Sequence, residues 1–347
     1  MNTGVNATSE RTEIVLPGRV EPDGLLVRTV PTELPAAGHV RLEMEATGVS
    51  FAEQQMRRGK YYDQPPFPFV PGYDLVGMVR ATGAGVDAAL VGRRFAAVTK
   101  TGAWSSQVEV DAGDLLAVPN GIDPVDVETL TVNGITAWQM LHDIARVPVG
   151  GTIVVLGANG GVGSTLVQLA KHAGIRVIGT ASTRHHEYVR ELGAEPVDSR
   201  DPELYKTIRA LVPGGVDAVF DHVGGEALRS SWALVRPGGI LVSYGSASTM
   251  KDEGNSQLPM YRLFARLLLW NLAPNGKRAH FYNFWAGRRR PASFRAAKGR
   301  AFDRIVALLG SGHLVPQIAA RFRIAEATEA MRLAESGTVT GKVVLLP

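Results

Sequence analysis

The chain has 347 residues, 45% hydrophobic and 20% charged, which is enough apolar material for a large core and for two domains. A formal charge of +4 is small for this length and does not imply nucleic-acid binding, while the absence of cysteine removes disulfides, thiolate zinc ligands and a cysteine nucleophile together. The first fifteen residues lack a basic-then-apolar leader pattern, and no stretch approaches about 18 uncharged apolar residues, so the expectation is a cytoplasmic chain with no membrane span.

Residues 12–118 read as all-β, with short alternating runs such as 40–45 and 107–110 between Gly and Pro turns. From about residue 125 strand and helix patterns alternate. Strands are predicted at 153–156, 176–180, 217–221 and 240–244, with helices after Gly163 and near 187–192 and 227–235. Such alternation predicts a doubly wound parallel sheet, an α/β fold. An apolar run at 258–274 is interrupted by Arg262 and Arg266 and is too short for a bilayer, so it predicts a helix over a site mouth or in a subunit contact. A strand-like run at 280–285 precedes the basic triplet Arg288, Arg289 and Arg290. A helix near 302–309 and a strand at 342–346 close the chain.

Residues 153–163 read Ile-Val-Val-Leu-Gly-Ala-Asn-Gly-Gly-Val-Gly, a strand running into a glycine cluster that opens a helix. Counted as a dinucleotide-binding turn, its three small positions fall on Ala158, Gly160 and Gly163, with Asn159, Gly161 and Val162 completing the loop. A tight strand-to-helix connection is the plainer alternative. At the end of the next strand, where NAD binders place a carboxylate on the ribose 2′-hydroxyl, the chain has Thr180-Ala181-Ser182-Thr183-Arg184. Ser182 can donate a hydrogen bond, and Arg184, His186 and Arg200 can bring positive charge, so the reading is NADP(H) rather than NAD(H). Solvated surface arginines are the alternative.

Five stretches carry a resemblance to a known family: Gly48-Val49-Ser50-Phe51-Ala52-Glu53; Phe67-Pro68-Phe69-Val70-Pro71-Gly72-Tyr73-Asp74; Asn133-Gly134-Ile135-Thr136-Ala137; the glycine turn with Gly179-Thr180-Ala181-Ser182; and Thr340-Gly341-Lys342-Val343-Val344. Together they make the chain resemble the medium-chain dehydrogenase/reductases, in the zinc-free quinone oxidoreductase branch, with the part from Leu234 to residue 290 most similar to the VAT-1 type. The resemblance covers nearly the whole chain. It implies a GroES-like β-barrel domain built from residues 1–128 and 292–347, with a Rossmann doubly wound parallel sheet at 129–291 inserted and the active site in the cleft. Zinc-dependent relatives carry their ligands at positions that match Ser50 and Tyr73-Asp74, and a neutral hydroxyl and a phenol replace thiolate and imidazole poorly as Zn²⁺ ligands, so no metal is expected.

The activity the resemblance implies is NADPH-dependent hydride transfer to a conjugated acceptor, meaning a quinone, an enone or an enoyl substrate. Tyr61 matches a tyrosine of related enoyl reductases and is the candidate proton donor; walling the pocket is its other reading, since solvent can also protonate an enolate. Ser50 matches a small polar position facing nicotinamide or substrate, or it is a turn hydroxyl. Asn133 and Thr136 resemble nicotinamide-side contacts, with helix capping as the alternative for Asn133. Val223, Tyr244 and Gly245, at the ends of two strands, are further cofactor neighbours, whereas His222 reads as structural. The run 280–285 falls where this family's sixth Rossmann strand pairs across a homodimer, a reading favoured over single-stranded nucleic-acid binding by the aromatics and arginines. The competing function is a protein that holds NADP(H) without turnover. A pathway-specific enoyl reductase is a third reading.

Overall fold

The computed structural model describes residues 10–249 and 258–347, so the leader reading for residues 1–9 lies outside the described residues. The chain divides into two compact units: Met1–Gly59, Asp63–Val132 and Ile318–Pro347 in one, Lys60–Tyr62 and Asn133–Gln317 in the other.

The first unit opens with β1 (Glu10–Val15) antiparallel to β2 (Leu26–Pro31). The long strand β3 (His39–Val49) buries Val40, Leu42, Met44 and Ala46, every second residue, as an antiparallel strand with one covered face does. It ends at Ser50, whose side chain caps α1 (Phe51–Arg57) in a capping box with Glu53. This helix interrupts the stretch that composition alone reads as all-β; Ser50-x-x-Glu53 is its local signal. Then come β4 (Asp74–Thr82), β5 (Arg94–Val98), β6 (Gln107–Asp111), the short β7 (Leu116–Ala117) and α2 (Pro124–Trp138).

The second unit alternates strand and helix: β8 (Thr152–Val155), α3 (Gly161–His172), β9 (Arg176–Ala181), α4 (His186–Leu192), β10 (Glu195–Asp198), α5 (Leu204–Leu211), β11 (Val216–Asp221), α6 (Ala227–Leu234), β12 (Val235–Ser243), α7 (Leu258–Leu272), β13 (Arg278–Phe281) and α8 (Pro291–Gly310). Its six strands pair in the order β10-β9-β8-β11-β12-β13, all parallel. Numbered within the unit this is 3-2-1-4-5-6, the Rossmann order, whose direction reverses between β8 and β11. Val154, Ile178, Val219 and Leu241 are fully buried, as expected for a parallel sheet covered on both faces.

The chain then returns to the first unit as β14 (Ile318–Arg323), α9 (Ala327–Glu335) and β15 (Lys342–Leu346). β15 pairs antiparallel with β3, setting Val344 opposite Gly48, and completes a sheet ordered β14-β15-β3-β4-β5-β7 with β6 on β3. Trp104, Leu42, Leu75 and Leu345 lie in its core, and the Trp104 indole N–H donates to Gly48 O at 2.9 Å.

Candidate functional site

The glycine turn of the second unit joins β8 to α3 at the point where the sheet reverses. Gly157 has φ +69°, and a Cβ there would strike the His222 ring. A Cβ on Gly163 would collide with Gly157 O, so the third glycine is required for helix to pack on strand. Gly160 differs: a Cβ would meet nothing closer than Gly157 O at 3.5 Å. The fold itself does not demand a glycine there, and the missing side chain leaves room on the outer side of the turn. Gly160 also begins α3 without a side-chain cap, so the first amides of a twelve-residue helix are left for a ligand. Such a cradle fits a pyrophosphate. Thr180 secures the turn from β9, its Oγ1 accepting Gly157 N–H at 3.1 Å and its carbonyl accepting Ala158 N–H at 2.9 Å. Asn159 and Val162 lie in the same turn.

Past Thr180, Ser182 starts a short 3-10 turn in which Arg184 Nε donates to His185 Nε2 at 3.0 Å and His186 Nε2 lies 3.3 Å from Ala181 O. Arg200 reaches the same place from β10, because Asp198 is in register with Ala181. The structure adds a group that sequence order concealed. Asp198 accepts Arg200 N–H at 3.1 Å, and that bond together with Thr183 and the charges of His186 and Arg200 holds its carboxyl below the usual range. A carboxylate therefore stands beside Ser182, although none ends β9 itself.

On α2, the Asn133 side chain packs against Gly161, so close that a Cβ there would sit 2.5 Å from Asn133 Nδ2. Thr136 bonds the hydroxyl of Tyr282, which donates to Gln139 Oε1 at 2.8 Å; burial pushes that phenol up. At the ends of β11 and β12, Asp221 accepts Val223 N–H and Gly224 N–H at 2.8 Å each and the Ser231 hydroxyl at 2.6 Å. Gly245 is pressed on the His222 backbone, and the Tyr244 ring lies 6.0 Å from the His222 ring. Burial lowers His222, and its Nδ1 is buried without a hydrogen-bond partner. The His222 ring is wedged against Gly157. Tyr61 is 5% exposed, and its ring lies 4.6 Å from that of Tyr62 at a tilt of 45°; the Tyr62 hydroxyl donates to Asn283 Oδ1 at 2.7 Å.

In the first unit Ser50 is half-buried and bonded to Glu53. Behind them is an ionic cluster that individual motifs do not reveal. Lys342 Nζ donates to Asp74 Oδ1 and Oδ2 at 2.9 and 3.0 Å and to Glu128 Oε1 at 2.5 Å, all of them buried. Val132 N–H donates to Asp74 Oδ2 at 2.9 Å. Asp74 is thus saturated by an ammonium and an amide. Tyr73 is buried, Ser50 is engaged by Glu53, and the donor set does not fit Zn²⁺. Among the described residues no group of three or more His, Asp or Glu is arranged to hold a metal ion.

Residues 36–122 match the alcohol dehydrogenase GroES-like domain, and residues 192–345 match the zinc-binding dehydrogenase family. The human synaptic vesicle membrane protein VAT-1 homolog is 30% identical over 343 residues, covering 96% of this chain and 86% of that protein. A 2-haloacrylate reductase from a Burkholderia species is 33% identical over 67% of this chain and 72% of its own. The solved Escherichia coli quinone oxidoreductase complexed with NADPH superimposes with a TM-score of 0.84 at 22% identity, over 97% of this chain and 100% of that one. A GroES-like unit, a six-stranded Rossmann sheet and these relatives agree, and the chain belongs to the medium-chain dehydrogenase/reductase family, in its quinone oxidoreductase branch.

Proposed function

We propose that the chain is a zinc-independent, NADPH-dependent reductase that transfers hydride to a conjugated acceptor: a quinone, an enone or an enoyl substrate. The observation that carries the reading is Gly160, a glycine that its own fold does not require, at the uncapped start of α3. NADPH bound there supplies a hydride. The amides of Gly161, Val162 and Gly163 would hold its pyrophosphate in the space that Gly160 leaves open, and Ser182, Arg184, His186 and Arg200 its 2′-phosphate, with Asn133, Thr136, Val223, Tyr244 and Gly245 toward the nicotinamide.

No metal is needed for this chemistry. A conjugated acceptor takes hydride at carbon and moves the charge to its oxygen, so the protein has only to orient it, donate a hydrogen bond to that oxygen and deliver a proton. We assign the hydrogen bond to Ser50 and the proton to Tyr61. The similarity to a reductase named for 2-haloacrylate supports acceptors with a carbon–carbon double bond conjugated to a carbonyl group. We further propose a cytoplasmic homodimer joined through the free edge of β13.

Chelator-treated protein mixed with NADPH and either phenanthrenequinone or an enone tests the reading. Saturable NADPH oxidation is expected, and Tyr61→Phe should slow enone turnover by roughly tenfold or more while leaving NADPH affinity unchanged. Full turnover in Tyr61→Phe would assign the proton to solvent. No oxidation with any acceptor would reject the enzyme and leave a protein that only holds the cofactor.

A further inference from the structure

The first unit buries three carboxyl groups around one cation. Lys342 has three N–H donors, and they face both oxygens of Asp74 together with Oε1 and the carbonyl of Glu128, so none is left for Glu53. Glu53 is 1% exposed, and its Oε1 is buried with no hydrogen-bond partner. Its Oε2 accepts Ser50 N–H at 2.9 Å and is in close contact with Ser50 Oγ, which in turn accepts Ala52 N–H at 3.1 Å. An ionised Glu53 would be a buried charge with an unsatisfied oxygen and no cation of its own, an arrangement relieved by keeping the proton. Burial raises its pKa, the Asp74 charge adds to the rise, and only the Ser50 bond, its own backbone and Lys342 oppose it.

That proton can sit only on Oε2, because Oε1 faces no acceptor. Ser50 Oγ then receives two hydrogens, from Ala52 N–H and from the Glu53 acid, and both of its lone pairs are used. The serine's own hydrogen must turn away from Glu53. When Glu53 is ionised the pattern inverts, and the carboxylate captures the Ser50 hydroxyl.

We propose that Glu53 is a positioning residue for Ser50: as the neutral acid it donates to Ser50 Oγ and frees the serine hydroxyl to donate to the carbonyl oxygen of a conjugated acceptor. The proposal rests on the reading of Ser50 as a substrate-facing group. Asp74 on β4, Glu128 on α2 and Lys342 on β15 are the charged groups that face the pair, and none of them donates to Ser50.

Two measurements separate this proposal from that reading. Infrared difference spectra of wild type against Glu53→Gln, on the whole protein without substrate, should show a protonated-carboxyl band at neutral pH that fades as the pH rises. No such band at neutral pH overturns the proposal whatever the turnover. In steady-state assays with NADPH and an enone, wild-type kcat should fall with rising pH along one limb while KM for NADPH stays level.

In Glu53→Gln the new amide oxygen accepts from Ser50 N–H and also captures the Ser50 hydroxyl, so this variant should show a pH-independent kcat near the alkaline level of wild type, roughly tenfold below its acid level. Ser50→Ala should lose the same limb, and Glu53→Gln in that background should cost nothing more. Persistence of the limb in either variant, or additive losses, overturns the proposal. Should Glu53→Gln not fold, Glu53→Ala, which removes the carboxyl, replaces it in both measurements with the same expected loss of limb and band. Absence of NADPH oxidation in wild type rejects the reading of Ser50, while the infrared band still decides where the proton resides.

Discussion

Lys342 is the residue on which the first unit's buried charges converge, and the arithmetic of that cluster predicts its pH response. Glu53 and Glu128 are both pushed above the usual glutamate range by burial. For Lys342 burial acts downward, but the carboxylates of Asp74 and Glu128 outweigh it and the amine sits above its ordinary value. Each raised glutamate keeps its proton to higher pH in the folded chain than in the unfolded one, so its contribution is full below the ordinary glutamate value and is lost as the pH rises through the folded value. The Lys342 contribution is likewise present below the ordinary lysine value and lost as the pH climbs through the raised one. The slopes share a sign. Melting temperature should fall as the pH rises above the ordinary glutamate value, and again above the ordinary lysine value, with a shallower first slope in Glu128→Gln, and Lys342→Met should cost about 3–5 kcal/mol by leaving buried acid unpaired. An unchanged slope in Glu128→Gln would contradict the assignment. The sequence displays Ser50, Asp74 and Lys342 in separate motifs, but not their meeting. The partners of Lys342 are 268 and 214 residues away, and only the pairing of β15 with β3 brings them together. Asp198 is hidden for the same reason, since a register across two strands places it beside Ser182.

Among the elements, the strands of the doubly wound sheet are legible because strands covered on both faces read as continuous apolar runs. The predicted strand at 280–285 is observed as Arg278–Phe281 and stops there, since Asn283 Oδ1 accepts Trp285 N–H at 2.9 Å and turns the chain. The helix expected near 302–309 starts earlier, at Pro291, whose fixed φ suits a first helical turn. The apolar run after 258 is a helix, α7, whose Leu267 points into the core while Tyr261, Phe264, Leu268 and Leu272 are 66%, 47%, 62% and 72% exposed. Their spacing forms one stripe along three turns, larger than scattered surface leucines account for. α7 packs beside β13, the end strand of its sheet, so among the described residues an exposed apolar face adjoins a strand edge with no further strand on it. We expect both to be covered by a second copy. Light scattering at micromolar concentration should give twice the chain mass, and Leu268→Glu with Leu272→Glu should yield the single chain; a monomeric wild type would contradict the dimer.

At the scale of the molecule, each unit has its own core, and the first is completed only when β14, α9 and β15 return after the second. Local pattern shows an all-β region and an alternating region, but not that residues 318–347 rejoin the former. That return is carried by backbone pairing across nearly the whole chain, and it is legible only through resemblance. No helix among the described residues is long and apolar enough to cross a membrane. What unites the fold, the glycine turn and the basic residues past β9 is the claim that a 2′-phosphorylated nicotinamide cofactor binds without help from a metal. The direct measurement is a fluorescence titration of chelator-treated protein with NADPH and, in parallel, with NADH. Saturable NADPH binding, unchanged by removal of metal and about tenfold or more tighter than NADH, is the predicted result; no saturation, or tighter binding of NADH, would contradict the account.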